Sequence, residues 1–245
     1  MAFLEKNPLA RPNGSRENKL CPRKAARKEK PILSPDQFGK LLRHLPEHWH
    51  PLVWTFAITG LRASEVAGLR WSDYDKADHT LTVQRGVVRG VVDSPKTEAT
   101  ARKVGGNSLL ADMLERQRVY SKIRLQREPG PNDYIFSTPS GNPFNADTAR
   151  REILYPAMRK AGIVPNGRQW GWHCFRHSCA TAHLNVIGDI YRASRYLGHA
   201  DVRITQKIYT HLKPAPAAEA ELLATYWSGS LAVPFAVPLQ TDKIQ

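Results

Sequence analysis

Apolar residues in this chain recur at spacings of three and four through most of its length and switch to alternation in one short stretch. Ser34 and Pro35 open the first helical run, in which Phe38, Leu41, Leu42 and Leu45 form a stripe behind a side chain able to cap the helix start. Residues 50–60 are apolar on nearly every face, which predicts a buried helix stopped by Gly60. A shorter helix is expected over 63–71. Between 79 and 106, Thr, Val and Gln alternate and valine pairs follow, broken by Gly90 and by Ser94-Pro95; this predicts a small antiparallel sheet with turns. Helical spacing returns over 108–126, and 133–145 is expected to hold a short strand and turns. Residues 146–163 read as helix up to about Tyr155, where Pro156 should kink or reset it. From Trp172 onward the spacing is helical again, with breaks at Gly188 and Gly198, and no internal repeat is visible. The expected fold class is α+β, mostly α-helical with a small antiparallel β-sheet.

Charge narrows the functional classes. The chain has 245 residues, and 36 Lys and Arg against 22 Asp and Glu leave a net charge of +14. That excess favours a polyanionic partner, nucleic acid first, although a solvated basic surface gives the same number. Residues 1–31 concentrate the bias: nine Lys or Arg face three Glu, and Pro8, Pro12, Pro22 and Pro31 interrupt any helix. They are expected to be a flexible linker or arm, laid along a phosphate backbone or simply solvated. Three cysteines cannot form a fully paired disulfide framework and suit a reducing cytosol. With no run of about 18 apolar residues and no secretory signal, a cytoplasmic location without membrane contact is expected.

Candidate chemistry begins at "GWHCFRHSCATAHL" (171–184), which admits three uses. A metal cage is one, since His173 and His177 share a helix face; but Cys174 and Cys179 fall on different faces, and no Glu follows the first His. Core packing suits Cys174, Phe175, Cys179 and Ala180 but not Arg176, which is expensive to bury without an anionic partner. A phosphate socket is the third: His173 and Arg176, three apart, lie in a first helical turn where free N–H groups already favour an anion. Two further segments favour the socket. "TGLRASEVAGLRW" (59–71) puts Arg62 after a glycine turn with Glu65 placed to brace it, and "YLGHADVRITQKIYTHL" (196–212) puts His199 after Gly198 with Tyr209 ten residues on.

In this order "TGLRASEVAGLRW", "HCFRHSCAT" and "LGHADVRITQKIYTH" resemble the motifs of the tyrosine recombinase (phage integrase) family, from about Pro31 to Leu212. The resemblance implies that family's catalytic-domain fold, that of the DNA breaking-rejoining enzymes, over 32–212. It implies that Arg62, His173, Arg176 and His199 hold the scissile phosphate and that Tyr209 is the nucleophile, with Glu65 and His177 in support. A hairpin lysine also serves the family, and "SPKTEATARKV" offers Lys96, with Arg102 and Lys103 close by. The implied activity is site-specific recombination or integration of mobile DNA through a 3′-phosphotyrosyl intermediate, with no metal, ATP or other cofactor.

Double-stranded DNA is the implied partner, engaged by a homo-oligomer (a tetramer) with accessory DNA-bending proteins, and the chain would be nucleoid-associated when bound. Helix 146–160, with Arg150, Arg151, Arg159 and Lys160, is the segment expected to meet DNA. The usual N-terminal DNA-clamping domain of the family is expected to be lacking. The tail, 213–245, is expected to carry one short helix with Leu222, Leu223, Tyr226 and Trp227 on a stripe, docking on a neighbouring copy or on its own domain. Two other activities fit the same charge: a non-catalytic DNA-binding regulator, and strand relaxation like that of a type IB topoisomerase.

Overall fold

The computed structural model describes residues 30–88, 90–93, 101–165, 170–198 and 201–209, and of residues 93, 204 and 207–209 only the backbone. The arm over 1–29, Lys96, His199, the Tyr209 side chain and the tail beyond it therefore lie outside the described residues.

Local capping chemistry sets the first helix, α1 (Pro35–His44). The Ser34 hydroxyl accepts from the Gln37 N–H at 3.1 Å, and the Gln37 side chain accepts from the Ser34 N–H at 3.0 Å. Leu41 and Leu45 are buried, with Phe38 and Leu42 packed beside them. Helix α2 (His50–Thr59) is buried on several faces and ends at Gly60, whose φ of +60° suits glycine. A methyl group on Gly60 would lie 2.6 Å from Leu197 and 3.0 Å from the Cys179 sulfur, so close approach also demands glycine here. Helix α3 (Ala63–Gly68) is shorter than the expected 63–71. Leu69 turns extended, its carbonyl accepts from the Ile135 N–H, and Trp71–Asp73 form a separate 3-10 turn.

Among the described residues five short strands follow: β1 (Tyr74–Asp75), β2 (Thr80–Val83), β3 (Gly86–Val88), β4 (Val91–Asp93) and β5 (Arg102–Gly105). They make an antiparallel sheet in the order β1-β2-β5 and a separate β3-β4 hairpin. Leu81 faces Val104 and Val83 faces Arg102; Leu81, Val83 and Val104 are buried, so this face of the sheet looks inward. Helix α4 (Ser108–Leu125) then packs against α2. Residues 133–145 contain isolated bridges but no strand, contrary to expectation. Their N–H groups are satisfied singly, from Thr138 to the Asn142 carbonyl and from Phe144 to that of Phe136, rather than in a ladder.

Helix α5 (Ala146–Ala149) runs into a π-helical turn over Arg150–Leu154 and then α6 (Tyr155–Lys160). Pro156 has no N–H for the Glu152 carbonyl, and the Tyr155 N–H reaches back five residues to Arg150. The proline thus resets the helix, which continues to Lys160. Helix α7 (Trp172–Ile187) carries Trp172 and Phe175, which stack on Phe56 with ring centroids 4.7 and 6.1 Å apart. Helices α8 (Ile190–Leu197) and α9 (Val202–Tyr209) follow, with Gly188 and Gly198 at positive φ. Among the described residues no helix is long and apolar enough to cross a membrane.

Candidate active site

Arg176 occupies the centre. Its side chain leaves α7 into the protein and is 3% exposed. One Nη donates to the Gly60 carbonyl and the other to the Leu197 carbonyl, both at 2.8 Å. Those carbonyls close α2 and α8, where unpaired C=O groups carry the negative end of each helix dipole, so among the described residues the buried cation is held without a carboxylate directly upon it. Burial and then the Arg62 charge lower its pKa to about 10, well above neutrality, so it remains charged. Two of the five guanidinium N–H groups are committed in this way.

Arg62 stands at the start of α3, two residues beyond the Gly60 turn. Its backbone N–H donates to Glu65 Oε2 at 2.7 Å and its Nη1 to Oε1 at 2.9 Å, yet 43% of its side chain stays open. Glu65, 12% exposed, also receives Arg102: Nη1 to Oε1 at 3.1 Å and Nη2 to Oε2 at 3.0 Å. Burial opposes its ionisation. The hydrogen bond and charge of Arg102, then the N–H and charge of Arg62, outweigh that and hold its pKa below the usual carboxylate value.

His173 lies one turn before Arg176 and keeps an exposed surface. The burial it does have lowers its pKa first, followed by the charges of Arg176, Lys30 and Arg62. Its ring meets that of buried His177 edge to face, with centroids 5.5 Å apart. The structure therefore brings Arg62, Glu65, His173, His177 and Arg176 together. Three arginines gather around one carboxylate and the His173 imidazole lies near two of them, a net positive cluster suited to a phosphate.

The two cysteines of the same helix belong to packing. Cys174 and Cys179 are buried, and burial first pushes both thiols up to about 12. Among the tyrosines of this region, Tyr196 donates its hydroxyl between the carbonyls of Ile58 and Gly105, each at 3.0 Å, and burial raises its pKa. A phenol so held is a poor nucleophile. Tyr191 is exposed on α8, and Tyr209 is the last residue of α9.

The basic positions of 146–160 divide. Arg151, Arg159 and Lys160 are exposed. Arg150 is turned inward, paired with Asp147 at 2.8 Å and lying over the Tyr155 ring. The motifs do not point to Arg102, but the strand Arg102-Lys103-Val104 does: alternation puts Arg102 on the same side as buried Val104 and Lys103 on the other.

This fold, with a basic pocket between helix ends, is that of tyrosine recombinase catalytic domains. Residues 32–215 match the phage integrase family, and the chain belongs to that family. It is similar to the ICEBs1 integrase of Bacillus subtilis (28% identity over 200 residues, 77% of this chain and 52% of that protein). It is also similar to tyrosine recombinase XerC of Azotobacter vinelandii (31% over 160 residues, 64% and 46%). Among solved structures it resembles the XerA recombinase, with a TM-score of 0.61 and 27% identity over 89% of this chain and 70% of that one. It shares its fold with the Tn1549 transposon integrase in complex with transposon right end DNA (TM-score 0.66, 23% identity, 82% and 67%). The chain spans about half the length of the curated relatives it matches.

Proposed function

We propose that this chain is a site-specific DNA recombinase, breaking and rejoining double-stranded DNA with Tyr209 as nucleophile. The observation that carries the reading is Arg176 fixed between two helix ends, with Arg62 and Arg102 joined through Glu65 beside it. Family membership and the likeness to an integrase solved with DNA support the substrate. Attack on a phosphodiester spreads charge onto the non-bridging oxygens, and Arg62 and Arg176 offer oriented donors for it. The Tyr209 oxygen bonds to phosphorus and the bond from phosphorus to the 5′-oxygen breaks. His173 or His199 takes the phenol proton, and Lys96 gives one to the leaving oxygen. A 3′-phosphotyrosyl ester retains the energy of the broken bond, so a 5′-hydroxyl can reverse the step without ATP. With one tyrosine per copy cutting one strand, exchange between two duplexes takes four copies on the DNA. Arg151, Arg159 and Lys160 are the exposed cations of 146–160 for backbone contact, and accessory DNA-bending proteins and a nucleoid location belong to the same reading.

Covalent capture on a nicked suicide duplex tests it. The wild-type chain should form an adduct mapping to Tyr209; Tyr209→Phe should abolish the adduct and keep non-covalent binding. An adduct that persists in that variant overturns the assignment.

A further inference from the structure

The period of a strand decides where Arg102 points. β5 pairs with β2 so that Arg102 lies opposite Val83, and Val104 opposite Leu81, on the buried face of the sheet. Lys103, one residue on, is exposed. The inward direction sends the Arg102 fork onto both oxygens of Glu65, and the side chain is 22% exposed. Arg102 also touches a second part of the pocket. A methyl group on Gly198 would lie 2.5 Å from both Cζ and Nε of Arg102, so the guanidinium is laid directly on the turn that leads into His199. Its Nε is buried there with no hydrogen-bond partner among the described residues, a desolvation cost that the two-pronged pair with Glu65 offsets.

We propose that Arg102 is a positioning residue for DNA cleavage: it grips both oxygens of Glu65, fixing the carboxylate that aims Arg62, and sets the Gly198 turn against the same pocket. The proposal rests on the recombinase reading above. Glu65 Oε1 is shared between Arg62 and Arg102, so releasing Arg102 frees the carboxylate to rotate and Arg62 to follow it. Three elements distant in sequence, the start of α3, the start of β5 and the end of α8, meet at this one guanidinium. Lysine cannot replace it, because a single ammonium cannot hold two carboxylate oxygens in a plane while lying flat on Gly198.

Single-turnover capture on the suicide duplex, equilibrium DNA binding and thermal melting of Arg102→Ala, Arg102→Lys and Glu65→Gln test it. Arg102→Ala should slow capture about a hundredfold, as a misaimed catalytic group does, with DNA affinity changed less than about threefold. Arg102→Lys should recover less than a tenth of the lost rate. The Arg102→Ala, Glu65→Gln double variant should be little slower than the worse single variant, since both act through one contact. The pH profile supplies a readout that loss of packing alone would not move. Arg62, Arg102 and, nearby, Arg176 are the charges around Glu65, and without Arg102 the carboxylate takes up a proton more readily. The rate of Arg102→Ala should then begin its acid-side fall at a higher pH than the wild-type rate does. Capture within twofold of wild type overturns the proposal, as does a loss with a wild-type pH profile that Arg102→Lys fully restores. A wild-type chain that forms no adduct overturns the recombinase reading itself, and the proposal with it.

Discussion

Two regions of this molecule are assembled from the same pieces and come out differently. At Arg62 and at Arg70 the backbone N–H donates to the carboxylate three residues on, at 2.7 Å to Glu65 and 2.8 Å to Asp73. In each case a second arginine grips that carboxylate: Arg102 on Glu65, and Arg85 on Asp73 together with Gln84. The difference is the direction of the first guanidinium. Arg70 turns away from its carboxylate and lies over the Tyr134 ring, 5.1 Å from its centroid, and the Asp73 side chain is 1% exposed. Arg62 folds back onto Glu65 and stays open to solvent. A carboxylate sealed among its partners holds the chain together; one whose arginine still faces water presents that arginine to a ligand. The Arg-x-x-acid spacing makes a brace, and the surroundings make it a site.

Removing the carboxylates should separate the two regions most sharply. Asp73→Ala strands Arg85 in a largely buried position and should lower the unfolding free energy by about 3–5 kcal/mol, read by urea denaturation. Capture per folded molecule should stay near wild type. Glu65→Ala should instead slow capture about 10²–10³-fold, with a stability loss of its own because it leaves Arg102 unpaired. A cleavage defect as large in Asp73→Ala as in Glu65→Ala would break the distinction. The arginines sharpen it further. Arg62→Ala should slow capture about 10²-fold at little cost in stability, whereas Arg70→Ala should cost about 0.5–1 kcal/mol of stability, the worth of its ring contact, and leave the rate alone.

The smallest effect concerns pH. The folded pKa of His173 lies below the ordinary 6.5, so the unfolded chain binds that proton first as pH falls. Stability should therefore decline as pH drops from about 6.5 to the lowered folded value, and no further below it. His48 and His183 are lowered too, first by burial, so His173→Gln should remove a part of that slope. A slope unchanged by the variant would remove His173 from the titrating set.

Much of this was legible from short-range chemistry. The Ser34 capping box, the glycine stops at 60, 188 and 198, and the Arg62–Glu65 brace each involve residues within a few positions of one another. Local pattern and structure part where distant segments take over. The stretch 133–145 reads as a short strand and turns, but its N–H groups find single partners instead of a neighbouring strand. The helix at 63–71 ends early because Leu69 is drawn to Ile135. Arg150 reads as a DNA-facing cation, yet the π-helical turn before Pro156 and the pair with Asp147 bring it inward.

The sequence by itself determined most of the helices, the glycine stops at 60, 188 and 198, the inward and outward faces of the strands and the presence of a basic pocket's ingredients, because periodicity and capping act over a few residues. Tertiary structure alone decided what those ingredients became. Arg176 finds the Gly60 carbonyl 116 residues away and that of Leu197 21 residues on, and Arg102 reaches Glu65 across 37. No local pattern encodes which helix ends will converge on a buried guanidinium; that follows from how α2, α7 and α8 pack against one another.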